Sequence, residues 1–422
     1  MRFETKQMHA GYNGDATRSV QTPLHMTTAY TFDDTEYARS LFALEQPGHM
    51  YTRLSNPTNA VLEERLAALD GGIGALVSAG GHSMMVMTFI NLCSANDEIV
   101  SAKSIYGGAI NLMDKTLRRL GINFKFVDAS DPEAFDRATT DKTRAYFIET
   151  IGNPLADIPD IEAIAKIAAK NGVVLIADNT VASPYLLRPI EHGANMVIYS
   201  TTKYINGSGT AMGGALIDAG NFKFLGNPRY PAFNTPDPSY KGLVYAEALG
   251  DLAFLVKLRA HVLRDIGACQ SPFNSWLTLL GLETLSLRME RHSSNALAVA
   301  EYLERQGAVE RVNYPKLKSS PYYKLAEKYL PLGASSTFTA DMKGGREAAA
   351  KLCDNLKLMK IVTNLGDTRS IVSCPAATTH SQLSDEQLME AGIYPGSVRF
   401  SIGLENLDDL LEDLEQALKH LT

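Results

Sequence analysis

Residues 197–209 read VIYSTTKYINGSG: an apolar run ending at Tyr199, then Ser200, Thr201 and Thr202 in succession, then Lys203. A strand that ends this way sets several hydroxyls and one amine where the backbone leaves a sheet. Taken alone, the stretch reads as a solvated turn, since Ser, Thr and Lys are ordinary turn and surface residues. Its meaning depends on what neighbouring strands bring to the same edge.

Working outward, helical and strand-like patterns alternate over residues 61–220. AVLEERLAALDGG (60–72), MMVMTFINLC (84–93) and IEAIAKIAAKNG (161–172) are helical in character. GALVSAG (74–80), DEIVSA (97–102), RAYFIET (144–150), VVLIADN (173–179), NMVIYS (195–200) and GALIDA (214–219) are short runs of strand length. The alternation implies a mainly parallel sheet covered by helices, which binds ligands beyond the carboxyl ends of its strands. GNPRYPAFNTPDPSYKG (226–242) carries four prolines and reads as a long loop. After it, LAFLVKLRAHVLRDIGA (252–268) and NALAVAEYLERQG (295–307) read as helices. The final third mixes short strands, STFTADMK (336–343) and SVRFSIGLE (397–405) among them, with the amphipathic LDDLLEDLEQALKHL (407–421), which suggests a smaller α/β domain.

Composition narrows the function. With 422 residues, 45% hydrophobic and 21% charged, the chain has the make-up of a globular protein large enough for more than one domain. A net charge of −7 provides no diffuse positive field, so neither nucleic acid nor an anionic membrane is an expected partner. The polar start MRFETKQMHAGYNGD lacks a signal-peptide core, and no apolar run is long enough to span a bilayer, so a cytoplasmic location is expected. Cys93, Cys269, Cys353 and Cys374 are scattered without a C-x-x-C pair. They read as reduced thiols, with no metal site and no disulfide framework.

Three strand ends then converge. LIADNT brings Asp178, VIYSTTK brings Ser200 to Lys203, and ALVSAGGHS runs a strand through Gly80 and Gly81 into a helix. Free N–H groups at that helix start, with the Ser200 and Thr202 hydroxyls, suit a phosphate. No G-x-x-x-x-G-K-[ST] occurs, and GSGTAMGG lacks dinucleotide-fingerprint spacing, so a nucleotide is disfavoured. A phosphate site, a lysine able to form a Schiff base and an aspartate on a neighbouring strand are together what pyridoxal phosphate requires, because its pyridine nitrogen is kept protonated by a carboxylate.

The blocks YTRLSNPTN, IYGG, ETIGNP, DNT, STTKYINGSG, PAATTHSQL and SVRFSIGLE occur in that order over nearly the whole chain. Together they resemble the motif set of the cystathionine γ-synthase family of pyridoxal-phosphate enzymes. The resemblance implies a fold type I α/β transferase: a large domain with a mainly parallel seven-stranded sheet between helices, plus a smaller C-terminal α/β domain. The implied boundaries are an arm over 1–60 that contacts the neighbouring subunit, a cofactor domain over 61–262 and a C-terminal domain over 263–422.

Carried across, Lys203 would hold the cofactor covalently and shuttle protons, Asp178 would pair with the pyridine nitrogen, and Tyr106 would stack on the ring as a further catalytic group. Gly80, Gly81, Ser200 and Thr202 would bind the phosphate, joined by Tyr51 and Arg53 from the adjacent subunit. Arg399 would clamp the substrate carboxylate, and Asn153 would lie near both that carboxylate and the cofactor's phenolic oxygen. The implied assembly is a homotetramer, a dimer of dimers with shared active sites. Its partners would be an amino-acid substrate and a sulfur donor, with a sulfur-carrier protein as one candidate donor.

Departures point to one branch. SAGG at 78–81 stands where many relatives have S-S-G-M, and the bare Gly81 suggests a looser phosphate loop. Gly108 follows Tyr106-Gly107 where methionine γ-lyases commonly carry cysteine, Asn364 replaces a lyase serine near the carboxylate, and Arg369 replaces a glutamate. With the proline-rich segment at 228–238, a candidate for closing the site, these features most resemble the branch that exchanges the acetate of O-acetylhomoserine for sulfide, giving homocysteine. Methionine γ-lyase and cystathionine γ-synthase or lyase activities are the alternatives.

Overall fold

The computed structural model describes residues 1–378, 385–390 and 394–421. Part of PAATTHSQL (375–383) therefore lies outside the described residues. Seven strands form the larger sheet: β1 (Gly74–Ser78), β2 (Glu98–Ala102), β3 (Asn123–Val127), β4 (Thr143–Glu149), β5 (Val174–Asp178), β6 (Met196–Tyr199) and β7 (Gly214–Asp218). Their order is β1-β7-β6-β5-β4-β2-β3. Neighbours from β6 through β5, β4 and β2 to β3 are parallel, and β7 runs antiparallel to both β6 and β1.

This sheet forms because its inner strands are apolar on both faces: every residue of β5 (VLIAD) and of β6 (MVIY) is buried. Such strands are stable only between two helical layers. Fully burying one Ile or Phe side chain of this kind contributes about 1.5–3 kcal/mol. The covering helices carry clear stop and start signals. Asn56 caps Pro57–Asp70 by accepting the Thr58 N–H, and Gly71 ends that helix at φ 81°. Asp160 likewise caps Ile161–Asn171 through the Ala163 N–H.

A second sheet holds β8 (Val309–Asn313), β9 (Thr337–Met342), β10 (Lys360–Ile361), β11 (Ile371–Ser373) and β12 (Ser397–Ser401), in the order β10-β11-β12-β9-β8. The helix Leu285–Glu304 ties this sheet to the first. His292 Nδ1 lies 2.7 Å from the Ile402 carbonyl, and Asn295 Nδ2 donates to the carbonyls of Gly403 and Glu405. On the same face, one turn earlier, Arg288 donates from Nη1 to the Tyr204 carbonyl (2.6 Å) and from Nη2 to those of Ile205 (3.2 Å) and Gly281 (2.7 Å). The sequence pattern showed only the later half of this helix. Its first half buries Arg288 and His292, turned inward to carbonyls, and Ser293, whose hydroxyl accepts the Ser335 N–H, and so hides its periodicity.

The proline-rich segment differs from expectation. It contains two helical turns, Pro231–Asn234 and Pro238–Tyr240, and packs against the amino ends of β4 and β5. There Tyr230 accepts from the Val174 N–H and donates to the Arg144 carbonyl. Phe224 stacks on Phe233 at 4.3 Å and on Phe254 at 6.0 Å. A ligand site beyond the carboxyl ends lies at the opposite edge, so this segment does not close the site of its own chain. Among the described residues, no helix is long and apolar enough to cross a membrane.

Candidate active site

At the carboxyl ends of the larger sheet lies a cavity of about 660 Å³, walled by the strand ends on one side and by Asn364, Thr378 and Arg399 from the second sheet's side on the other. Parallel register sets its floor: Glu149 is the partner of Asp178, and Asp178 the partner of Ile198. The turn after β6 carries Lys203, whose N–H donates to the Ser200 carbonyl (3.1 Å), while the Lys203 carbonyl accepts from Gly207 N–H (2.8 Å). The Thr202 hydroxyl accepts from the Gly213 N–H (3.0 Å), and the Ser200 N–H donates to Thr180 Oγ1 (2.8 Å). Short hydroxyls thus hold the turn against β5 and β7.

Glycines let the backbones meet. A Cβ on Gly214 would lie 2.3 Å from the Gly80 carbonyl oxygen, and one on Gly81 would lie 2.9 Å from Ser200 Cβ. Gly81 therefore does not loosen the loop, contrary to the sequence-based expectation: Ser200 presses against it, and this backbone admits no side chain there. The helix Gly81–Leu92 starts at this point with its first N–H groups free of intrahelical partners. Those N–H groups, with Ser200 and Thr202 beside them, form a cradle for an anion.

Charge is distributed unevenly. Asp178 accepts the Thr180 N–H (2.9 Å), and Glu149 accepts the N–H groups of Tyr106 (2.7 Å) and Asn153 (3.1 Å). Burial raises both carboxyls above their ordinary range, and the charge of Asp178 adds to the rise at Glu149. Among the described residues neither has an ion-pair partner. Lys203 Nζ donates to Asn364 Oδ1, and burial, with the charge of Arg399, brings its amine down to about 8. Near neutral pH, a fraction of roughly a tenth is then the nucleophilic free base. Arg399, on β12, is buried; Nη1 reaches Asn153 Oδ1 (3.4 Å) and Nη2 donates to the Asn364 carbonyl (2.9 Å). Burial lowers its pKa, yet no carboxylate pairs with it among the described residues, which leaves the guanidinium available to one from a ligand.

The Tyr106 ring lies over Gly108, where a Cβ would come within 2.5 Å of Tyr106 Cε1; any side chain at 108 would displace the phenol. Most of the sequence-derived set meets here: Gly80, Gly81, Tyr106, Asn153, Asp178, Ser200, Thr202, Lys203, Asn364 and Arg399 all line the cavity. Tyr51 and Arg53 do not line it in their own chain; Arg53 instead sits 5.2 Å over the Tyr51 ring. Arg369 is also outside it, paired with Asp367 and donating to the Ser208 carbonyl. Sequence reasoning missed Glu149 and Thr180, although both fall inside quoted blocks. Ending an apolar strand in the same way as Asp178 was the available signal for Glu149. His82 was missed too, and no pattern in the sequence marked it.

An anion cradle, a partly neutral lysine, unpaired carboxyls at the floor and an unpaired buried arginine fit pyridoxal phosphate held by its phosphate, its carbonyl carbon and its ring nitrogen. The arrangement fits a pyridoxal-phosphate site on an α/β scaffold. Residues 4–419 match the family described as Cys/Met metabolism PLP-dependent enzymes, and the chain belongs to that family, with pyridoxal phosphate as its cofactor. It is 47% identical to the O-acetyl-L-homoserine sulfhydrylase of Leptospira meyeri, over 99% of this chain and 97% of that protein. It is equally similar, at 47%, to O-acetyl-L-homoserine sulfhydrylase 1 of Thermus thermophilus, over 99% of this chain and all of that protein. Among solved structures, a putative O-acetylhomoserine (thiol)-lyase from Campylobacter jejuni bearing pyridoxyl-lysine monophosphate superposes with a TM-score of 0.96, at 42% identity over 99% of this chain and 100% of that one. A cystathionine γ-lyase from Lactobacillus plantarum gives a TM-score of 0.85 at 29% identity, covering 100% of this chain and 99% of that one.

Proposed function

We propose that the protein catalyses γ-replacement on O-acetyl-L-homoserine, with sulfide as sulfur donor, releasing acetate and L-homocysteine as a step of methionine biosynthesis. The observation that carries this reading is the end-to-end 47% identity to two O-acetyl-L-homoserine sulfhydrylases. Lys203 holds the cofactor covalently, Gly80, Gly81, Ser200 and Thr202 receive its phosphate, Tyr106 covers its ring, and Asp178, backed by Glu149, keeps its ring nitrogen protonated. When bound, pyridoxal phosphate supplies an electron sink for negative charge at the substrate Cα.

The protein's own groups do the rest. Arg399 and Asn153 fix the substrate carboxylate, which orients Cα toward Lys203. The free amine of Lys203 takes the proton from Cα, hands it to C4′ of the bound cofactor and, neutral again, takes one from Cβ, after which acetate departs from Cγ. Sulfur adds at Cγ, and Lys203 returns the protons. Asn364, which accepts from Lys203 Nζ and anchors Arg399 by its carbonyl, keeps base and carboxylate clamp in fixed relation. The decisive assay compares kcat/KM for O-acetylhomoserine with sulfide against that for methionine cleavage. A clear preference for methionine assigns the chain to the lyases, and a preference for a thiol, cysteine or a sulfur-carrier protein over sulfide reassigns the donor.

The active site is shared between subunits of a cytoplasmic homotetramer built as a dimer of dimers. Residues 1–60 form the arm, 61–262 the cofactor domain and 263–422 the C-terminal domain. Supporting this reading, Val20, Met26 and Phe42 expose apolar side chains along the arm, and Tyr51 and Arg53 sit outside their own cavity. Mixing Arg53→Ala chains with Lys203→Ala chains restores activity in hybrid dimers if each site draws on both subunits. Verified subunit exchange without recovery refutes it.

A further inference from the structure

We infer that His82, which lines the cavity with no hydrogen-bond partner on either ring nitrogen among the described residues, is the catalytic base for the incoming sulfur nucleophile. The inference rests on the γ-replacement reading and adds a residue to it.

Gly80 and Gly81 have no side chains, so His82 is the first side chain of the helix Gly81–Leu92 to reach the cavity. Its ring lies 5.7 Å from that of Tyr106, tilted by 39°, on the solvent-exposed side of the site. The other charged or titratable groups lining the cavity are Tyr106, Glu149, Asp178, Lys203 and Arg399. Glu149 and Asp178 hold backbone N–H groups, Lys203 is bonded to Asn364, and Arg399 to Asn153 and Asn364. Lys203 is committed to Cα and Cβ. Partial burial and the positive charge of Lys203 depress the His82 pKa, so its imidazole is neutral at physiological pH and able to accept a proton.

A sulfur donor arrives at the open side carrying a proton. As the S–Cγ bond forms, the S–H bond breaks, and His82 takes the proton. The electron pair of the carbon–carbon double bond left by acetate departure shifts toward Cα. Lys203 then reprotonates Cβ, and His82 releases its proton to solvent, so the net change is R–SH added for acetic acid lost. Sulfide is already partly ionised near neutral pH and needs the base least, whereas an alkyl thiol is a weaker acid and needs it most.

The test uses the holoenzyme of wild type, His82→Phe and His82→Gln, each checked for the cofactor absorbance band. Phe keeps a ring against Tyr106 and removes the base. At pH 7, kcat/KM for methanethiol is expected to fall about a hundredfold in both variants, the size of a lost general base. Sulfide is expected to lose less than about tenfold, and the methanethiol deficit to shrink as pH rises. Equal losses for both donors, or a loss in Gln but not in Phe, would mean that His82 only packs on Tyr106, and overturns the inference; so does unchanged methanethiol use. Acetate release from O-acetylhomoserine by the wild type is scored separately: its absence refutes the γ-replacement reading itself.

Discussion

The two ends of the seven-stranded sheet are built from the same strands and treat polar groups in opposite ways. At the amino ends the backbone groups around Tyr230 find partners, although among the described residues Arg144 Nε and Asp218 Oδ2 do not: the Val174 N–H and Arg144 carbonyl share the Tyr230 hydroxyl, and Arg229 Nη1 closes the carbonyls of Thr140 and Thr143. Around them Phe224, Phe233 and Phe254 stack. At the carboxyl ends Asp178, Glu149 and Arg399 are buried without ion-pair partners among the described residues, and Lys203 is held below its ordinary basicity. Buried unpaired charge weakens a fold, so the group of three gathered round one cavity marks where a ligand completes the structure, whereas Asp218 stands apart at the amino edge. The comparison teaches that stability and chemistry are assigned to opposite edges of one sheet, about 20 Å apart at the rise per residue of a seven-residue strand such as β4.

Two substitutions can break that division. Lys203→Ala is expected to lower kcat by roughly 10²–10⁴-fold and to abolish borohydride-fixed cofactor, with no fall in apoprotein Tm. If reduction still fixes the cofactor, another lysine is the anchor; if Tm drops sharply, the carboxyl edge carries stability after all. Phe233→Ala should do the reverse, costing about 3–5 kcal/mol in denaturant unfolding with kcat/KM of the folded enzyme preserved. Lost activity at full stability would show that the proline-rich segment acts on the site.

A smaller effect sharpens the comparison through pH. Asp178 and Glu149 have folded-state pKa values raised above their ordinary 3.8 and 4.5, so the folded apoprotein binds more protons than the unfolded chain. Their stabilising contribution is present below about pH 4 and is lost as pH rises through the raised values. Asp70 and Asp218, both pushed up to about 7 by burial, behave likewise but lie away from the cavity and act equally with and without cofactor. The Tm gain on adding pyridoxal phosphate is therefore expected to grow between pH 4 and 7. A gain independent of pH would mean that the floor carboxyls do not meet a cationic nitrogen.

Much of this was legible because buried parallel strands read as unbroken apolar runs, and because Asp178 and Lys203 end two of them. The match to known motifs extended that reading to Arg399, on a strand of the second sheet that the sequence pattern could not place. What remained hidden depends on alignment between distant segments. Glu149 acquires its meaning from its register with Asp178, and Gly81 is tight because Ser200 arrives from another strand. The long helix concealed its first half in inward-facing polar residues, and the proline-rich segment gave no sign of which sheet edge it would cover.

Arg288 has a consequence for how the enzyme is made. The carbonyls of Tyr204 and Ile205, directly after Lys203, are closed by a guanidinium from the helix Leu285–Glu304, which is itself docked on Ile402 and Gly403, about 200 residues further along. During synthesis the seven strands through Asp218 leave the ribosome well before these residues exist. The lysine turn is thus closed only after residues 285–304 have been made and docked, later than the seven strands it adjoins. Yellow colour in a refolding solution would report arrival of the C-terminal third.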